Sequence, residues 1–339
     1  MNLTNKKDHK KQINTKLLFL GCFWTICILL IGILLLHQNP LADQDTERLK
    51  KICGILLISV SGILATVYSE RLILLPKELW SSRKLIWKLA KNDFKKRYAG
   101  SYLGIVWALA QPIVTVLMYW IVFDKVFQSR SQLIAAGVEV PYVVYLTAGL
   151  VPWFYFSEAL MQGTMALLEY DYLVKKVVFN ISILPIIKII GATFNHLFFV
   201  GILLLVSMAY GIFPTIYTLQ ILYYSFCLFM LVLAMSYLTC AVVVFFRDLQ
   251  QIIAIVLQIG MWATPILWDL GMIRWIYQVW FKLNPITYIV NGFRSAIYGR
   301  EWFWQHFYSS TYFWILVMGM FCVGSLVFRK LKVHFADVM

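Results

Sequence analysis

Residues 84–112, KLIWKLAKNDFKKRYAGSYLGIVWALAQP, run a basic amphipathic helix directly into an apolar segment, and that junction sets the architecture. On a helical wheel Lys84, Lys88, Lys91 and Lys95 share one side, whereas Ile86, Leu89, Ala90, Phe94 and Tyr98 share the other, as in a helix lying in a bilayer interface. Asp93 and Arg97 interrupt the apolar stripe four residues apart, a spacing at which acid and base neutralise each other on a helix. Taken alone, the segment reads as a partner-facing helix or as a membrane anchor whose lysines meet anionic head groups.

Outward from that junction the composition fixes the solvent. Of 339 residues 61% are hydrophobic and 14% charged, with mean hydropathy +0.75, so the chain is an all-α integral membrane protein. Leu17–Leu36 is long enough to span, and no small-residue cleavage site follows it as in a signal peptide. Cys22, Cys27, Cys53, Cys227, Cys240 and Cys322 lie in or beside apolar runs, which makes them buried thiols rather than a disulfide or metal framework.

Apolar runs predict eight spans, at 17–36, 52–74, 102–123, 141–167, 181–212, 218–246, 250–267 and 311–328. The segment 76–100 carries eight basic residues against two acidic. With the lysines before residue 17, the 168–188 loop and the tail Arg329, Lys330 and Lys332, it places both termini in the cytoplasm. The net charge of +14 is therefore topological, and no nucleic-acid partner is expected. The chain divides into an amino-terminal transmembrane hairpin (1–75), a cytoplasmic amphipathic interfacial helix (76–100) and a six-span core (101–339).

Arg274, Lys282, Arg294 and Arg300 break the charge rule on the outer side. Their region holds two apolar pieces too short to span, IRWIYQVWF and ITYIVNGFRSAIYG, separated by Lys282, Leu283, Asn284 and Pro285. This suggests a re-entrant hairpin before the last span; as a mere interfacial loop, it would make Trp275, Tyr277 and Trp280 aromatic-belt residues. No GxxxxGK[ST] loop, dinucleotide turn or His/Cys metal array occurs, so neither a catalytic residue nor a metal or cofactor is assigned to this chain. Among ionisable groups within spans, Glu158 reads either as a pathway residue or as a satisfied interhelical contact, Lys188 as a snorkelling residue, and His196 as a packed polar contact.

KNDFKKRYAGSYLGIVWALAQP, VPWFYFSEAL, FFRDLQQI from 245, ATPILW from 263, NPITYIVNGFR from 284 and the closing FADV occur in this order over some 260 residues. The set resembles the permease subunits of ATP-binding-cassette exporters for polysaccharides such as O-antigen, capsule and wall teichoic acid. The first 75 residues depart from the six-span plan by adding the helical hairpin.

The resemblance implies a homodimeric transport subunit in the cell (cytoplasmic) membrane. It would work with two copies of a separate ATP-binding-cassette ATPase that holds ATP and Mg, and move a lipid-pyrophosphate-linked glycan outward. It further implies a coupling helix at 169–179, with Glu169, Asp171, Lys175 and Lys176 docking the ATPase, and Lys95, Lys96 and Arg97 placed for a pyrophosphate. A hydrated glycan crossing hydrocarbon needs a polar lining. The span at 102–123, with Tyr102, Trp107, Gln111 and Tyr119, and the span at 250–267, with Gln258 and Trp262, mix aromatic faces with hydrogen-bonding groups and are the expected pathway walls. The alternatives are a membrane-embedded enzyme acting on polyprenyl-linked sugars, an exporter of a small drug or lipid, and a non-transporting scaffold.

Overall fold

A computed structural model describes residues 20–21, 23–36, 44–97, 106–126, 134–135, 138–174 and 180–338. Helices dominate: α1 (Phe23–Leu36), α2 (Gln44–Val67), α3 (Ser69–Ser81), α4 (Arg83–Arg97) and α5 (Val106–Trp120), which continues as a π-turn, Ile121–Val126. After a two-residue β-ladder, β1 (Ile134–Ala135) with β2 (Val138–Glu139), come α6 (Tyr142–Glu169), α7 (Asp171–Val174), α8 (Leu184–Ala209), α9 (Gln220–Val243) and α10 (Leu249–Ala263). The chain closes with α11 (Trp275–Lys282), α12 (Pro285–Arg294), α13 (Phe307–Leu331) and α14 (Phe335–Val338).

Among the described residues four helical stretches are long and apolar enough to cross a membrane: Tyr142–Glu169, Ile181–Ala209, Ile216–Val243 and Phe303–His334. They match four of the eight expected spans. α6 is the centre, buried over most of its length, and packs against α8, α9, α10 and α12, while α13 packs along α9.

Two expected spans come out differently. The run at 52–74 is divided at Tyr68 between α2 and α3, and α3 carries Pro76 inside it. The run at 250–267 ends as helix at Ala263, because Thr264, which precedes Pro265, takes extended backbone at φ −86 and ψ 137. A residue before proline is pushed out of the α region by the proline ring, which accounts for the break.

In the region read as a re-entrant hairpin or an interfacial loop, the chain forms a helix–turn–helix with unequal arms. Asn284 caps α12 by accepting from the Ile286 amide at 3.0 Å, and Pro285 occupies the first turn, where no amide is needed. α11 has no buried residue, whereas α12 is buried against α6 and α9. Gly292 permits that approach: a Cβ there would sit 2.1 Å from the Tyr224 ring. At the opposite end Phe335 of the closing FADV is buried against Phe245 and Phe328, so the two motifs FFRDLQQI and FADV meet in space.

Candidate functional site

α4 has the expected sidedness. Lys84, Lys88, Lys91 and Lys95 are exposed, Ile86 and Ala90 are buried, and Phe194 of α8 lies between Trp87 and Phe94 at 5.7 and 5.1 Å. Tyr98 falls outside the described residues. The polar interruption of the apolar stripe is where α4 is fastened to the bundle. Arg97 Nη2 lies 3.4 Å from Asp93 Oδ2, the expected i,i+4 pair. Both residues also reach further.

Asp93 Oδ1 accepts from Lys188 Nζ at 2.8 Å and from the Tyr170 hydroxyl at 2.5 Å. Arg97 donates to Glu158 Oε1 at 3.1 Å and to Gln162 Oε1 at 2.7 Å. Glu158 Oε1 accepts in addition from Gln162 at 2.8 Å and Asn195 at 2.8 Å. Lys188 makes a second ion pair, to Glu169 Oε2 at 2.5 Å, and lies 4.8 Å from the Tyr170 ring centre. Residues from α4, from the last three turns and end of α6, and from α8 therefore form one continuous ionic hub.

Burial raises the cost of a charge on Asp93, but hydrogen bonds from Lys188 and Tyr170 and the charges of Lys188 and Arg97 outweigh it and hold its carboxyl below the ordinary value of 3.8. The Tyr170 phenol is pushed up, by burial first and by the adjacent Asp93 carboxylate next. Asp93 is thus an anion and Tyr170 a neutral donor at neutral pH, the pairing that their short contact requires.

The hub redistributes the residues singled out in the sequence. Arg97 turns inward, whereas Lys95 and Lys96 are exposed, so the basic triplet is divided between two faces of α4. Glu169 is drawn into the hub, while Asp171 is exposed and its carboxylate accepts from the Tyr172 amide at 2.6 Å. Lys175 and Lys176 lie outside the described residues. Lys188, read from sequence as a snorkelling cation, is instead buried, with 7% of its side chain exposed, and paired twice. Glu158 has the interhelical contacts of the blander of its two readings. His196 is a packed contact, with Nε2 2.9 Å from Ser225 Oγ and its ring 4.7 Å from that of Tyr155.

Of the expected pathway residues, Trp107 on α5 is exposed, as are Gln258 and Trp262 one turn apart on α10, and Tyr119 is half-buried. Tyr102 and the side chain of Gln111 lie outside the described residues. α5 and α10 each pack on α6, and Trp107, Gln258 and Trp262 stay exposed on them.

A second polar assembly closes the opposite end of α6. Beyond Thr264 the backbone is no longer helical, and three consecutive carbonyls are taken up by side chains. Ile266 O accepts from Arg294 Nη2 at 2.9 Å, Leu267 O from the Tyr142 hydroxyl at 2.7 Å, and Trp268 O from the Tyr145 hydroxyl at 2.7 Å. Asn284 donates to Thr264 Oγ1 at 3.0 Å. Satisfying each carbonyl is what allows non-helical backbone beside apolar surroundings. Arg294 is buried, its guanidinium carbon 3.6 Å from the Tyr145 ring centre, and among the described residues no carboxylate forms an ion pair with it. It is a packing cation.

A family model described as ABC-2 type transporter matches residues 84–298. The O-antigen export system permease protein RfbA of Myxococcus xanthus is 28% identical over 229 residues, covering 67% of this chain and 85% of that protein. Two proteins of the same name from Klebsiella pneumoniae are each 24% identical, over 255 and 258 residues, covering 74% of this chain and 93% of those proteins.

Proposed function

The chain belongs to the ABC-2 type transporter family, and from that membership we propose that it is the transmembrane subunit of an ATP-driven exporter whose cargo is a lipid-pyrophosphate-linked polysaccharide of the O-antigen or teichoic-acid type. The similarity to O-antigen export permeases over two thirds or more of the chain supports the cargo class. On this reading nucleotide chemistry is supplied by an ATP-binding-cassette ATPase, present in two copies on a homodimer of this chain, and residues 1–339 contribute no GxxxxGK[ST] loop to it.

The observation that carries the mechanism is the ionic hub. Tyr170 and Glu169 end α6 at the start of the segment 169–179, the expected ATPase dock, and the same two residues hold Asp93 and Lys188. A push on that segment is transmitted through short, charge-assisted contacts into α4 and α8 rather than dissipated in a loop. Lys95 and Lys96, exposed on α4, supply the cationic surface for the pyrophosphate of an incoming glycan. Arg97 orders the helix that presents them. The outward faces of α5 and α10, with Trp107, Gln258 and Trp262, supply the wall that a second copy completes into a channel.

Affinity purification of the tagged chain from native membranes tests this reading. Recovery of an ATP-binding-cassette subunit in equal amount, with ATP hydrolysis in the eluate and lipid-linked glycan accumulating inside cells that lack the chain, is the expected result. Recovery of the chain alone, with glycan export unchanged in its absence, overturns it.

A further inference from the structure

The amino-terminal hairpin precedes the 84–298 region that the family model matches, yet it forms one wall of a cavity whose other wall is the core. The cavity has a volume of about 360 Å³ and lies between α1 and α2 on one side and α13 on the other, with Tyr223 of α9 contributing to its lining. On α13 the lining residues are Phe307, Ser310, Thr311, Trp314, Ile315 and Met318, a single helical stripe. Across from them stand Cys27 and Leu30 of α1 and Ile58 and Ser61 of α2. Cys27 and Ile58 are themselves buried, so the slot has a fixed floor rather than a loose surface.

Its length identifies what fits. From Phe307 to Met318 a helix rises about 16 Å, roughly half of the ~30 Å hydrocarbon core. The slot is therefore one leaflet deep. One end is finished as a bilayer interface: Trp304 is exposed and stacked on Trp302 at 4.5 Å, and the exposed Glu301 and His306 pair at 2.9 Å on the same turn. An isoprenoid carrier built of many units is several times longer than such a slot, whereas one fatty-acyl chain is matched to the depth of a single leaflet.

We propose that this slot is a lipid site, holding one acyl chain of a glycerophospholipid from the leaflet at the amino-terminal end of α13, with its head group at the Trp304 turn. The extra hairpin then acts as a clasp that turns a lipid-facing surface of the last span into a bound-lipid site. This stands apart from the identity of the exported cargo.

The full chain in nanodiscs containing phosphatidylethanolamine with a diazirine in its acyl chain provides the test. Photo-adducts mapped by mass spectrometry are expected on Trp314 and Met318 above those on Leu197 and Leu205, which are exposed on α8. Ile315→Trp, which fills the slot, is expected to lower the slot adducts roughly tenfold and leave the α8 adducts unchanged. Ser61→Phe fills it from the hairpin side and gives the same readout where Ile315→Trp fails to accumulate. Equal labelling at both places, or slot labelling indifferent to both filling variants, overturns the proposal. So does displacement of the probe by a polyprenyl phosphate but not by unlabelled phosphatidylethanolamine.

Discussion

Lys188 Nζ lies 2.8 Å from Asp93 Oδ1 across 95 positions of chain, and this bond joins the basic helix α4 to the membrane helix α8. Both side chains are largely buried, with 7% and 11% exposed. Removing one partner leaves the other charge with only its remaining contacts, Arg97 and Tyr170 for Asp93 or Glu169 for Lys188, so the cost stays below the ~3–5 kcal/mol of a fully uncompensated buried charge. Lys188→Met or Asp93→Asn alone is expected to lower both α4 docking and glycan export sharply, and the two together to cost less than their sum. A double-mutant cycle on the melting of the purified chain checks this. Additive losses would show that the pair is not coupled.

The charge state of Asp93 sets a pH window. Its carboxyl is held below the ordinary 3.8, so the folded protein binds that proton less tightly than the unfolded chain. The stabilisation is then complete above the ordinary carboxylate range and is lost as the pH falls through the depressed value. α4 docking, followed by a distance probe between α4 and α8, is expected to stay constant from about pH 8 to about pH 5 and to loosen only in stronger acid. In Asp93→Asn that acid step is expected to shrink. Loosening near neutral pH would assign the contact to another titrating group.

Lys95, Lys96 and Arg97 are neighbours in sequence but not in role. Lys95→Gln with Lys96→Gln removes exposed cations and is expected to reduce export several-fold at unchanged protein level. Arg97→Gln breaks the contacts to Asp93, Glu158 and Gln162 and is expected to lower thermal stability by about 3–5 kcal/mol. Quantified export beside membrane protein level separates the two effects. An unchanged export rate in the double lysine variant would remove them from cargo binding.

These residues mark how far the chain could be read before folding. The sidedness of α4, the Asp93–Arg97 pair and the break at Asn284–Pro285 are local, set by helical spacing and by capping and proline chemistry, and each was legible. The remote partners of Asp93 were not. Lys188 and Tyr170 are remote in sequence, and a lysine near the end of an apolar run has the same local signature whether it snorkels or pairs. The end of α10 was legible and was overridden: hydropathy carries smoothly through ATPILW, while Pro265 dictates extended backbone at Thr264.

The clamp on that broken end makes its own prediction. Arg294 Nη2 holds the Ile266 carbonyl, and the ring of Tyr145 lies beneath the guanidinium. Arg294→Gln shortens the side chain and leaves a buried carbonyl without its donor, a loss of about 1–3 kcal/mol. A cysteine placed at Ile266 is expected to be protected from a water-soluble thiol reagent in the otherwise native chain and to react markedly faster when Arg294→Gln is added. Tyr145→Phe, which frees the Trp268 carbonyl and keeps the ring, is expected to produce a smaller increase. Equal reactivity in all three backgrounds would mean that the segment is held by its backbone alone.

Gly292 gives the sharpest packing test. A Cβ at this position would sit 2.1 Å from Tyr224 Cε1, and Tyr224 is itself buried against α12 with 1% exposed. The ring has no free space to rotate into, since it already packs edge-on with Tyr223 and Tyr288 at 5.1 and 5.5 Å. Gly292→Ala therefore overfills the α9–α12 seam, at a cost of about 1–3 kcal/mol. It is expected to lower the melting temperature and to make α12 more accessible to protease. Adding Tyr224→Leu removes the obstructing ring atoms and is expected to recover most of the loss relative to Tyr224→Leu alone. If Gly292→Ala is harmless by itself, α12 is held less tightly against α9 than against its other neighbours.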